Sequence, residues 1–102
     1  MIIEVAHITV TPGSGAEFEA AVTEAINVFR QAKGCRGLHL QKCTEAPDEY
    51  EVIIRWETLE NHTIDFREGP LFQDWRGLVG GFFAKPPEVK HYEVVVPRAD
   101  FT

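Results

Sequence analysis

Apolar residues recur along this chain with two spacings, and the switches between them outline the elements. Ile2 to Thr11 is rich in β-branched residues and ends in Pro12-Gly13, which predicts a strand closed by a turn. Ser14-Gly15-Ala16-Glu17 has the spacing of a capping box, and Phe18, Ala21, Val22, Ala25, Phe29 and Ala32 follow at three- and four-residue intervals up to Gly34. That pattern predicts one amphipathic helix of about five turns. Two extended runs, Cys35 to Thr44 and Tyr50 to Glu57, flank Glu45-Ala46-Pro47-Asp48-Glu49, a turn-like cluster whose proline cannot continue a central ladder. They read as a β-hairpin.

Thr58 then stands as an N-cap, and Leu59, His62 and Phe66 fall on one face of a short helix. Gly69-Pro70 interrupts it. Leu71, Phe72, Trp75, Leu78, Val79, Phe82 and Phe83 draw a second apolar stripe, frayed by Gly80-Gly81 and ended by Pro86-Pro87. Val89 to Val96 reads as a fourth strand stopped by Pro97. The order βαββαβ predicts an α+β, ferredoxin-like fold over residues 1–97, an antiparallel sheet with both helical segments on one face, and a short tail over 98–102. The strands are apolar on both parities, as at Ile2 and Ile3, Val52 and Ile53, Val94 and Val95. The uncovered face therefore needs a partner, and a second copy packed sheet to sheet gives a homodimer with a closed, dimeric α/β barrel.

Composition narrows the function classes. Sixteen acidic residues against ten basic ones give a net charge of −6, which argues against a nucleic-acid or anionic-membrane surface. The start, Met1-Ile2-Ile3-Glu4, lacks the basic region of a secretory signal, and the most apolar stretch, Leu78 to Ala84, is far short of the ~20 residues that span a bilayer. A cytoplasmic chain is expected. Cys35 and Cys43 lie on a run read as extended, roughly 25 Å apart at the usual strand rise, so they do not pair with each other and are read as reduced structural thiols. No GxGxxG, P-loop or metal-ligand motif is present, and no metal or cofactor is assigned.

Four stretches in order, the first strand running into Val10-Thr11-Pro12-Gly13, then Gly34-Cys35-Arg36-Gly37-Leu38, Arg55-Trp56-Glu57-Thr58-Leu59-Glu60-Asn61-His62, and Gly69-Pro70-Leu71-Phe72, resemble the antibiotic biosynthesis monooxygenase family. These are small dimeric α/β-barrel proteins that include quinol oxygenases and haem degraders. The resemblance implies oxygen chemistry without flavin or metal, in which an electron-rich phenol, quinol or anthrone is deprotonated and itself reduces O₂. The haem-degrading branch carries an Asn on the first strand and a ligating His on the second helical segment. This chain has Ala6 or His7 at the first position and Trp75 or Arg76 near the second, so haem breakdown is disfavoured.

His62 is the leading candidate for a general base, since its spacing turns it inward beside Phe66 and an imidazole titrates near neutrality. A helix-edge histidine bonded to backbone is the plain alternative. Asn61 is a candidate oxyanion donor, against an ordinary surface amide. Phe66, Phe72, Trp75 and Phe83 are candidate substrate walls that equally suit a core, and Arg76, four residues after Phe72, is a rim residue suited to a phenolate or carboxylate. His7, His39 and His91 read as strand packing residues, and Glu57, Glu60 and Asp65 as acids near a helix start. Two other functions stay open. One is a non-catalytic dimeric small-ligand-binding or stress-associated protein. The other acts on a small phosphorylated metabolite, which would need more basic residues in the pocket than Arg76.

Overall fold

In the computed structural model, which describes Met1–Thr102, strand β1 (Ile2–Thr9) runs through the middle of a four-stranded antiparallel sheet. β3 (Glu49–Trp56) and β4 (Glu88–Glu93) flank it, and β2 (Cys35–Lys42) forms the far edge, giving the order β2-β3-β1-β4. This is the ferredoxin-like α+β arrangement, with the helices on one face. Register places Glu4 of β1 between Ile54 of β3 and His91 of β4. Side chains alternate across a strand, so Glu4 shares the helix-covered face with Ala6 and Ile8, and with Tyr50, Val52, Ile54 and Trp56 of β3. Helix α1 (Gly15–Arg30) covers that face with Phe18, Val22, Ala25 and Phe29.

Three local expectations need correction. The capping box at Ser14 does not form: Ser14 has φ −93° and ψ 3°, outside the extended region a side-chain cap uses, and its hydroxyl pairs with that of Thr11. The second concerns Leu59. Thr58 does cap the next segment, its Oγ1 accepting the Asn61 N–H at 3.2 Å while Asn61 Oδ1 accepts the Thr58 N–H at 3.1 Å. But residues Asn61–Phe66 then wind as a π-helix, with the Arg67 N–H reaching the His62 carbonyl five residues back. The wider turn puts Asn61, His62 and Phe66 inward together and leaves Leu59 41% exposed. Third, the last strand stops at Glu93, not Val96. Glu93 pairs with Ile2, where β1 itself begins, so the valines beyond have no ladder partner and stand exposed.

Helix α2 (Pro70–Val79) starts on its proline and passes into a 3₁₀ turn over Gly80–Phe82. The chain is then tied back to the end of β1: the Thr11 N–H meets the Phe82 carbonyl at 2.9 Å and the Ala84 N–H meets that of Thr9 at 2.8 Å. This fixes Phe83 beside the sheet. No helix is long and apolar enough to cross a membrane.

Gly34 joins α1 to β2 with φ +76°, and a Cβ there would run into the Asn61 carboxamide. Both the left-handed backbone and the close approach require glycine. Gly34→Ala is expected to lower the free energy of unfolding in urea by ~2 kcal/mol or more, since αL strain alone is of that order; an unchanged midpoint would show that Asn61 moves aside freely.

Candidate active site

Between the π-helical segment, α2 and the sheet lies a cavity of about 230 Å³. Its walls are Phe29, Phe66, Phe72, Trp75 and Phe83, with Ala6, Ile8 and Val89 from the sheet, and its polar residues are Glu4, His62, Arg67 and Arg76. Phe29 anchors the aromatic wall, its ring stacked on Phe66 and edge-on to Trp75, each at 5.0 Å between centroids.

A continuous polar chain runs along one side of this cavity. The Trp56 Nε1–H donates to Glu4 Oε1 at 2.9 Å, the same oxygen lies 3.3 Å from His62 Nε2, and His62 Nδ1 lies 2.7 Å from His91 Nε2. With His62 neutral and donating from Nε2, its Nδ1 accepts the His91 Nε2–H, which fixes one consistent set of tautomers. Trp56 also stacks on the His62 ring at 5.4 Å, so one indole orients both groups. Glu4 is 5% and His62 3% exposed. Burial pushes the Glu4 carboxyl up from 4.5 to about 7, against the opposing pull of the Trp56 hydrogen bond and the Arg67 charge. Burial, with smaller contributions from Arg67 and His91, pushes His62 down to about 4. His91 is lowered for the same first reason, with Arg67 second. Near pH 7 the imidazole is neutral and the carboxyl is poised between its two forms.

The structure brings His62, Phe66, Phe72, Trp75, Arg76 and Phe83 around one cavity. Asn61 is not among its lining residues. Beyond its bond to Thr58, its amide donates to Asp65 Oδ2 at 3.1 Å, so both ends serve the turn. His7 lies on the opposite face of the sheet, bonded to Glu49 at 3.0 Å, and His39 is exposed. Glu4, Trp56 and Arg67 have no candidate role in the sequence reading, and His91, read there as a strand packing residue, instead joins the site through its bond to His62. A signal existed for Glu4: it shares the parity of Ala6, Ile8 and Val10 within an apolar strand. Arg67 had none, because the π-turn that sets it beside His62 has no sequence mark.

The sequence profile of the antibiotic biosynthesis monooxygenase family matches residues 1–78, and the Bacillus subtilis protein YczJ is 35% identical over 95 residues, 93% of this chain and 100% of YczJ. The chain belongs to the antibiotic biosynthesis monooxygenase family. A crystal structure of a Bordetella bronchiseptica protein described under the same family name is 47% identical, with a TM-score of 0.92 over 93% of this chain and 97% of that one. SnoaB, a cofactor-independent oxygenase from Streptomyces nogalater, shares the fold, with a TM-score of 0.80 at 17% identity over 97% of each chain. At the positions where the haem-degrading branch would place its iron ligand, Trp75 is packed on Phe29 and Arg76 lies over two rings, neither an iron-ligating side chain, and both nitrogens of His62 are engaged. No three His, Cys, Asp or Glu side chains are arranged to hold a metal ion. Cys35 and Cys43 are free thiols, and burial raises that of Cys35.

The two buried groups oppose each other in the pH dependence of stability. The folded chain keeps the Glu4 proton between 4.5 and about 7, where the unfolded chain has released it, so stability falls as pH rises through that window. Unfolded His62 takes up a proton below 6.5 that the folded group resists to about 4, so stability falls as pH drops through that range. Glu4→Gln keeps an oxygen for Trp56 and removes only the first slope. Urea unfolding is expected to show the variant more stable than wild type by ~1–3 kcal/mol at about pH 8 and equal to it near pH 4; a variant weaker at pH 8 would mean that Glu4 is held as a favourable anion.

Proposed function

We propose that this chain is a monooxygenase that needs no bound cofactor and acts on a small aromatic phenol, quinol or anthrone. The observation that carries this reading is a carboxyl poised near pH 7 beside a neutral imidazole, at one end of a cavity walled by aromatic rings. A base whose pKa lies near the working pH combines a useful fraction of free base with a useful driving force for proton transfer. Glu4 meets that condition better than His62. The base is therefore the Glu4–His62 pair, with the carboxylate accepting the substrate hydroxyl proton and the imidazole holding Glu4 in place and linking it to His91. Family membership and the SnoaB-like fold support the same reading.

The reaction balances without an external reductant. Ionising the hydroxyl raises the electron density of the ring, which transfers electrons to O₂ and forms a carbon–oxygen bond. Breaking the O–O bond leaves one oxygen atom in the oxidised product and releases the other as water, with all four electrons drawn from the substrate. The chain's residues deprotonate, exclude water and orient. Asn61, bound into the turn, is reassigned from oxyanion donor to positioning residue for the π-segment.

The dimer belongs to this reading. On the sheet face away from the helices, Ile3, Val5, Ile53 and Tyr92 cluster through cross-strand pairing within a ring of His7, Glu51, Arg55 and Lys90. Tyr92 on this face is 50% exposed, and Val94, Val95, Val96 and Phe101 of the tail are exposed as well. A second copy buries this face at the scale of a standard interface, about 1,600 Å² in total. Sedimentation at micromolar concentration is expected to give twice the 11.5 kDa chain mass; a monomer at that concentration would remove the barrel.

The activity is tested by oxygen uptake with a panel of quinols and anthrones in metal-free buffer. Uptake is expected to exceed the protein-free rate and to rise with pH to a plateau above about 7, as Glu4 ionises. Glu4→Gln and His62→Ala are each expected to lower it by roughly 10²-fold or more while the fold persists. Uptake no faster than the blank, with saturable binding of the same compounds, would favour the ligand-binding reading. A wild-type rate in His62→Ala would remove the imidazole from the mechanism.

A further inference from the structure

The cavity carries a charge pattern that the proposed oxygen chemistry does not use. Its titratable lining comprises Glu4, His62, Arg67 and Arg76, of which His62 is neutral near pH 7 and Glu4 is inclined by burial to keep its proton. The lining is therefore net positive in either state of Glu4, on a chain whose own net charge is −6. Both arginines are exposed at the mouth, and no carboxylate oxygen lies within 4.0 Å of either guanidinium. Arg76 is held by the walls themselves. The Arg76 guanidinium sits 5.9 Å from the Phe72 ring centroid and 5.8 Å from that of Phe83, a double cation–π contact with two wall residues. Arg67 is fixed at its backbone by the π-turn through the His62 carbonyl, and its charge is felt by Glu4, His62 and His91.

We propose that the cavity takes its aromatic ligand as a monoanion, with a ring carboxylate held at the mouth by Arg76 and Arg67 and a hydroxyl directed inward to Glu4 and His62. This deepens the reading given under the proposed function and rests on it for the aromatic walls and the hydroxyl end. The planar guanidinium fork matches a carboxylate, and two such groups at the mouth meet an anion without burying it. Size restricts the ring system. A dry cavity of ~150 Å³ accommodates benzene and ordinary ligand pockets begin at about 300 Å³, so 230 Å³ suits one or two fused rings. Such a ligand lies with its acid in water-exposed contact and its reacting hydroxyl in the dry end.

Binding without turnover separates this inference from the oxygenase reading. Quenching of tryptophan fluorescence, or calorimetry, is run anaerobically at about pH 8 with a hydroxynaphthoate, its methyl ester and naphthol. The wild-type protein is expected to bind the hydroxynaphthoate at least about tenfold more tightly than the ester or naphthol, with the preference shrinking as salt is raised. Arg76→Gln is expected to remove most of that preference by lowering hydroxynaphthoate affinity far more than naphthol affinity, and Arg76→Lys to recover part of it. Equal affinity for the acid and its ester, or an unchanged preference in Arg67→Gln and Arg76→Gln alike, would overturn the anion proposal and leave the oxygenase reading standing. Failure of all three ligands to bind would overturn the anion proposal, while oxygen uptake with the quinols and anthrones decides the oxygenase reading separately.

Discussion

The contact between Glu4 and His62 under the indole of Trp56 is the constraint around which the rest of the site is arranged. A carboxyl and an imidazole at 5% and 3% exposure are costly to bury unless each finds partners, and both do. Trp56 donates to Glu4, Glu4 faces His62, and His62 meets His91, leaving no buried side-chain polar atom without a partner. The geometry is satisfied while the charges are not: burial pushes both groups toward their neutral forms. That is the condition in which a carboxyl becomes a base useful near pH 7.

Each member of the group comes from a different element. Glu4 is on the central strand, Trp56 at the end of its neighbour, His91 on the other neighbour and His62 on the π-turn above. The sheet register alone places Glu4 beside His91, and the antiparallel β1–β3 pairing puts Trp56 within reach of Glu4. His62 depends on the most particular feature, the Thr58–Asn61 cap followed by a five-residue turn, with Asn61 seated against Gly34. Asn61 thus acts on the site through the backbone, although its side chain lines no part of the cavity.

Most of the architecture was legible in the sequence because it rests on periodicity. The strand alternation, the α1 stripe from Phe18 to Phe29, the Pro70 helix start and the βαββαβ order all follow from spacing. What escaped depended on tertiary pairing. Val94 to Val96 looks like strand, but β1 offers no residue for them to pair with. Ser14 has the right neighbours for a capping box and the wrong backbone angles. Leu59 leaves the inward face because the next turn is wider than an α-helical one. At the site, the aromatic walls and His62 were visible as an inward stripe, whereas Glu4 passed as one more acidic residue in a chain with sixteen. Its parity within an apolar strand was the available clue, and its partners lie 52 and 58 positions away in Trp56 and His62.

The central claim is that Glu4 holds its proton up to neutrality beside a neutral His62. Carbon-detected NMR titration of the glutamate side-chain carboxyls in the intact protein, with Glu4→Gln used to assign the Glu4 signal, tests it directly. The account predicts a single carboxyl signal titrating near pH 7, with the imidazole of His62 uncharged throughout the range from pH 5 to 8. A Glu4 signal titrating at or below the ordinary 4.5, accompanied by a protonated His62 at neutral pH, would show an ion pair in place of a poised base and would contradict it.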